Sequence, residues 1–234
     1  MVDKELFDAY EAALGANATL FSRAVRDLAD EVDGMSAKDM RTYLMGRYPS
    51  LVRAYGTVAA EAAREFYEMQ RAIAGGAAKF GNYEAVTAYP EQLDAESAIQ
   101  VNAVTARDGK PSGASVYAYL DGQGTRSVMS CSDATMDANC KRDPANPKWA
   151  LVPHPGACAW CVMIGSRGFM YQSERTVGAQ RHNGCKCTPV VDFDTKNPSL
   201  EGYDQRKLEQ RYLEAERTGK THFRDRRPKK KAKR

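Results

Sequence analysis

Histidine is scarce: His154, His182 and His222 are the only three in 234 residues, and they precede Pro155, Asn183 and Phe223, so no His-x-Glu pair exists. That removes the glutamate proton carrier on which the zinc deaminases depend. Long apolar runs are also missing. No uncharged apolar stretch approaches the roughly 18 residues needed to span a bilayer, and Met1-Val2-Asp3-Lys4-Glu5 lacks the basic-then-apolar pattern of a secretion signal. A soluble chain made in a cytosol, with no membrane partner, is expected. No fixed-period repeat is present, and no acid, base and nucleophile converge in one stretch. A non-enzyme without a small-molecule substrate is the expectation.

What is present suffices for one real core and a second small unit, with 43% hydrophobic and 27% charged residues. The net charge of +4 hides an asymmetry. From Arg224 to Arg234 eight Lys/Arg face the single Asp225, which leaves 26 basic and 29 acidic groups in residues 1–223. A mildly acidic body therefore carries a strongly basic tail.

The fold class expected is mainly α. Leu6, Tyr10, Leu14, Phe21, Val25, Leu28 and Val32 recur at steps of three, four or seven and predict an amphipathic helix over 3–32, ended by Gly34. Ser36 and Asp39 resemble a capping box opening a short helix with Met40, Tyr43 and Leu44. Pro49 sits where a first helical turn tolerates it. The stripe Leu51, Val52, Tyr55, Val58, Ala59, Ala62, Phe66, Met69 and Ile73 then predicts a long helix that stops at Gly75-Gly76. Further helices are expected over 91–106 and 112–129, the latter weakened by Gly122 and Gly124. Residues 130–155, with four prolines, read as a long connection. The predicted division is a helical body over 1–147, a small cysteine-rich α+β lobe over 148–195, and a charged helix with a basic, disordered tail over 196–234. Within the lobe, 157–166 predicts a short helix ended by Gly168, and 169–172 and 188–193 predict strands. Leu200 to Arg217 is helical in pattern, with Leu208, Tyr212 and Leu213 on one side.

Six cysteines in a reducing compartment argue against a disulfide framework, and four of them crowd between Cys158 and Cys187. Cys158-Ala-Trp-Cys161 and His182-Asn-Gly-Cys185-Lys-Cys187 form two knuckles with five soft or borderline ligands. A structural zinc ion takes four. The two-residue gap lets Cys158 and Cys161 reach one ion. Cys185 and Cys187 form the softer second pair, but their one-residue gap is tight, so His182 with Cys185 or Cys187 stays open. Pro155-Gly-Ala-Cys158-x-x-Cys161 resembles half of a deaminase signature, without the other half. A thiol-redox role would call for a βαβ context that the proline-rich approach does not give. Trp160 is expected to anchor the lobe's core, and Cys131 and Cys140 read as unpaired thiols in the connection.

The tail residues Arg224, Arg226, Arg227, Lys229, Lys230, Lys231, Lys233 and Arg234 suit sequence-independent contact with phosphates, lost steeply with salt. No aromatic interleaving supports base stacking. A solubilising end is the competing reading.

Tyr48-Pro49-Ser50-Leu51-Val52, Tyr55-Gly56 and the alanine-rich run through Glu65-Phe66-Tyr67 to Arg71 resemble the helical region of minor capsid proteins from tailed phages of actinobacteria and their prophages. Trp149-Ala-Leu-Val152-Pro, Cys158-Ala-Trp-Cys161, Ser166-Arg167-Gly168, Tyr171-x-Ser173 and His182-x-x-Cys185-x-Cys187-Thr188 follow in the order of the same family. The closing His-x-x-Cys-x-Cys is similar to the end of the wider MuF-like head morphogenesis domain. The resemblance covers roughly residues 40–193, loosely between 81 and 146. It implies a virion component at the portal vertex or capsid interior, made in the host cytoplasm, with portal and capsid proteins as partners and packaged DNA touched by the tail. The tail, Cys131 and Cys140 do not map onto that family. Two alternatives are a standalone zinc-knuckle nucleic-acid-binding protein and a cryptic metal-dependent hydrolase.

Overall fold

A computed structural model describes residues 1–106, 111–170 and 181–219. Helices α1 (Lys4–Glu31), α3 (Tyr48–Ile73) and α6 (Gly113–Arg142) pack on one another and form the body. Helix α2 (Ala37–Met45) and helix α5 (Leu93–Thr105) flank them, and α4 (Gly76–Phe80) is a single short turn after α3. The fold is mainly helical, as expected, and the described residues include a two-stranded sheet.

Local chemistry sets the helix starts. Asp3 and Ser36 accept hydrogen bonds from the Leu6 and Asp39 amides, which satisfies donors left open at the first turns of α1 and α2. The stripe expected on α1 is the one buried, with Tyr10, Leu14, Phe21 and Val25 inside. On α3 the expected Val52, Ala59 and Phe66 are buried, but the buried face extends to one side of the expected stripe. Gly56, Ala60, Ala63, Tyr67, Gln70 and Arg71 are inside, whereas Val58, Met69 and Ile73 are exposed. The reason is close approach: small residues let α6 lie near α3, and a Cβ on Gly56 would sit 2.9 Å from Cys131 Sγ.

The largest departure from expectation is α6. Residues 130–142 are not a connection but the second half of a 30-residue helix, and Cys131 and Cys140 are core residues on it. Gly124 does not weaken this helix; it permits it. A Cβ there would lie 2.2 Å from Phe21 Cζ and 2.6 Å from the Tyr48 hydroxyl, so only glycine lets α6 cross α1 at this depth. Polar residues on the second half of α6 are buried because they serve as backbone partners. Asn139 bonds both the N–H and the C=O of Val86, and Thr135 does the same for Ala88, so an extended strap lies along the helix without a sheet. At the helix end Asp143 accepts from Arg71 and from the Tyr67 hydroxyl, a buried ion pair between α3 and the end of α6.

Beyond α6, β1 (Lys148–Val152) pairs antiparallel with β2 (Thr188–Asp192), with Lys148 opposite Asp192 and Val152 opposite Thr188. Strand β2 matches the expectation for 188–193; β1 was not foreseen. Its Trp149, rather than Trp160, is the fully buried tryptophan, and Trp160 is only half-buried. The pair rests on α6, and Phe193 packs against Tyr67 and Phe80, so side chains on both sides of residue 148 share one apolar core. Helix α7 (Ala159–Ser166) lies on β1 and against α8 (Gln205–Arg217). No strand forms at Phe169 and Met170, where Phe169 instead meets the Tyr203 ring edge-on; the rest of that predicted strand lies outside the described residues. No helix among the described residues is long and apolar enough to cross a membrane.

Candidate metal centre

Two short segments bring the cluster together. In the first, Cys158 is the N-cap of α7 in extended conformation and Cys161 stands one turn later, so the two thiols emerge on the same side. Helix α7 sits close because Gly165 faces Pro153, where a Cβ would come within 2.4 Å of the ring. In the second, the chain turns at His182–Cys185, closed by the Cys185 amide bonding the His182 carbonyl at 3.1 Å. Gly184 takes φ +74° in that turn, a conformation that costs glycine little. Its amide also donates to the Gly122 carbonyl at 2.8 Å, which pins the turn on the bared side of α6.

The geometry brings together all five ligands that the spacing singled out. Cys158, Cys161 and His182 form one set of mutually close donor atoms, and Cys161, Cys185 and Cys187 form another, each within 4.8 Å. Cys161 belongs to both. Its sulfur lies 3.1 Å from His182 Nε2 and 3.6 Å from Cys185 Sγ. Tetrahedral zinc with bonds of about 2.3 Å to sulfur and 2.0 Å to nitrogen implies donor separations of about 3.5–3.8 Å; the Cys161–Cys185 separation matches this and the Cys161–His182 separation is shorter. Cys161, Cys185 and Cys187 are buried, while Cys158 and His182 are half-buried at the rim.

The electrostatics are those of closely packed thiols sharing protons with an imidazole. His182 Nδ1 is 3.0 Å from the Asn183 carbonyl, which can only accept, so that nitrogen carries a hydrogen and Nε2 faces the sulfurs. Hydrogen bonding from Cys161, reinforced by His182, holds the Cys158 thiol down to about 4. Cys185 is held well below the ordinary thiol range by its hydrogen bonds with Cys161 and Cys187 and by the Arg181 charge. Cys161, surrounded by these sulfurs, is pushed up and keeps its proton. His182 rises to about 9, chiefly through Cys158. The Trp160 ring stands edge-on to the imidazole at 6.3 Å, walling the rim.

Arg181 and Asp133 were not singled out by the sequence. Arg181 is 4% exposed and forms a two-pronged ion pair with Asp133 of α6 through Nε and Nη2, the latter at 2.6 Å, while Nη1 lies 3.6 Å from Cys185 Sγ. Cys131 and Cys140 play no part here. Burial raises their thiols, Cys131 to about 12, which makes them packing groups and not ligands. His154 Nδ1 meets the Pro155 carbonyl, and His154 belongs to neither donor set. The eight basic tail residues Arg224 to Arg234, and Tyr171 and Ser173, lie outside the described residues.

A long helical body bearing a thiol and imidazole centre beside a two-stranded sheet is the class that fold and site define. The family model described as VG15 protein matches residues 1–215. The chain therefore belongs to the VG15 protein family, a phage-associated family. No curated protein and no solved structure matches it.

Proposed function

We propose that this chain is a minor capsid, or head morphogenesis, protein: a structural component of the phage particle at the portal vertex or capsid interior, serving head assembly or DNA packaging and delivery. The observation that carries this reading is a single family match that runs through body and lobe alike, residues 1–215, across both stretches that resemble tailed-phage minor capsid proteins. In this reading α1, α3 and α6 present a rigid surface to portal or capsid protein. The basic tail touches packaged DNA through its phosphates. One structural zinc ion in the cysteine cluster would cross-link α7, the His182 turn and the start of β2, giving a small lobe stability that its own apolar area does not supply. Cys161 stands in both donor sets and so links the two knuckles.

Co-expression with the portal and major capsid proteins of the same phage tests the assignment. The protein should co-purify with portal or sediment with assembled heads, and mass spectrometry of purified particles should find it. Tight nucleic-acid binding at physiological salt without any association with portal or capsid protein would overturn it. Native mass spectrometry before and after chelation tests the metal: one zinc per chain, lost in Cys161→Ser, is the expected result.

A further inference from the structure

A guanidinium is among the costliest groups to bury, and Arg181 is buried against a cluster of sulfurs. Its partner, Asp133, is equally enclosed and comes from another part of the fold, the second half of α6, 48 residues earlier. Two of the three guanidinium nitrogens are taken by the carboxylate, and the third reaches Cys185 Sγ at 3.6 Å. A planar fork can serve a carboxylate on one edge and a sulfur on the other, whereas lysine offers only a point charge. The arrangement makes a chain of contacts: α6 carboxylate, arginine, ligand sulfur. Metal-binding side chains are commonly oriented by such outer partners, whose loss costs about 10- to 100-fold in metal affinity.

We propose that Arg181, held by Asp133, is the positioning residue of the metal centre: it orients and charge-balances the Cys185 thiolate, so that metal retention in the lobe is governed from helix α6 of the body. The inference rests on the metal reading above. With several sulfurs around one divalent cation the centre carries net negative charge in a water-poor site, and a fixed cation against one sulfur offsets it. Asp133 restores neutrality around the arginine and fixes its angle. The lobe thereby holds metal more tightly when docked on α6, because half of this support belongs to the body.

Zinc affinity is measured on full-length protein by competition with a chromophoric chelator, alongside circular dichroism at saturating zinc and the sulfur-to-cobalt charge-transfer band of cobalt-loaded protein. Arg181→Gln is expected to lower affinity by about 10- to 100-fold and to shift the charge-transfer band. Because Arg181→Gln leaves Asp133 buried without a partner, the neutral pair Asp133→Asn with Arg181→Gln is the decisive variant. It should fold as the wild type does, yet keep the affinity loss and the shifted band. Wild-type affinity and an unmoved band in that folded double variant would mean that the pair only clamps α6 to the lobe, and would overturn the inference while sparing the metal reading. A wild-type protein that takes up no zinc or cobalt would overturn both.

Discussion

The body and the cysteine lobe solve the same problem with different material. The body buries a continuous apolar core between three helices of 26 to 30 residues, including Tyr10 stacked on Phe66 at 4.6 Å and Phe21 edge-on to Tyr55. The lobe has an eight-residue helix, two five-residue strands and sulfurs in the places where large side chains would otherwise stand. A two-stranded sheet is marginal by itself, and this one persists because α6 covers it. Area stabilises the body, whereas the lobe adds point contacts to its share of that core: the cysteine cluster, the Arg181–Asp133 pair and the turn pinned at Gly122. Point contacts can be removed one at a time.

Chelation, or Cys161→Ser, should therefore separate the two regions, and this is the largest effect expected. In small metal-dependent domains the ion contributes on the order of 10 kcal/mol; here the apolar backing of β1 and β2 reduces the loss. Hydrogen exchange should show α7 and the His182–Cys185 turn losing protection while α1 and α3 retain theirs. Collapse of α1 and α3 together with the lobe would break the comparison, since it would make the ion part of the body's stability.

The body has point contacts of its own, and the buried Asp143 site is the one that carries charge across α3 and the end of α6. Asp143, fully enclosed, receives Arg71 Nε at 2.7 Å and the Tyr67 hydroxyl at 2.9 Å. Asp143→Ala leaves the buried guanidinium without its counter-charge, held by the Phe80 and Gly81 carbonyls, and should cost about 3 kcal/mol, read as a lower urea midpoint. Gly124→Ala should cost somewhat less, about 1–3 kcal/mol, because the added methyl must displace the Phe21 ring or the Tyr48 hydroxyl. A neutral Gly124→Ala would mean that the crossing of α1 and α6 is looser than its 2.2 Å clearance implies.

The same contrast governs what could be read from the sequence. Helix α1 was legible because its apolar spacing is the packing, and the five metal-type ligands were legible because knuckle spacing is local. The second half of α6 was not. Ser132, Asp133, Thr135 and Asn139 look like a polar connection, and their helix survives because the strap at Val86 and Ala88, the arginine of the lobe and neighbouring backbone groups take up those polar atoms. Such partners lie about 50 residues away, so no window along the chain contains the reason. Arg181 was hidden in the same manner: adjacent to His182 in sequence, it gains meaning only from Asp133. On α3 the expected stripe was right at Val52, Ala59 and Phe66 but not at Val58 and Met69, because alanine and glycine pack α6 more closely than those side chains would.

Thiol chemistry sharpens the comparison without changing stability. Brief treatment of the native, metal-free protein with iodoacetamide should leave Cys131 and Cys140 unmodified, since burial keeps both as thiols, and should modify Cys158, the half-buried cysteine held as a thiolate. Peptide mass spectrometry locates the adducts, and added zinc should protect Cys158. Labelling of Cys131 before Cys158 would show that α6 opens more readily than the lobe.

The smallest expected difference lies in two helix caps of similar chemistry. Ser36 accepts from the Asp39 amide at 3.2 Å, and Asp204 accepts from the Lys207 amide at 3.1 Å. Replacing either by alanine removes one cap interaction, worth about 1 kcal/mol. The consequence depends on what the helix buries. Helix α2 delivers Met40 and Leu44 into the core, so Ser36→Ala should appear in the global urea midpoint. Helix α8 has no buried residue, so it can fray while the rest stays folded, and Asp204→Ala should leave that midpoint unchanged. Faster exchange confined to the first turn of α8 would be its only trace. Equal midpoint shifts in the two variants would mean that α8 is coupled to the body as tightly as α2, and the boundary between area-stabilised and contact-stabilised regions would have to move past residue 205.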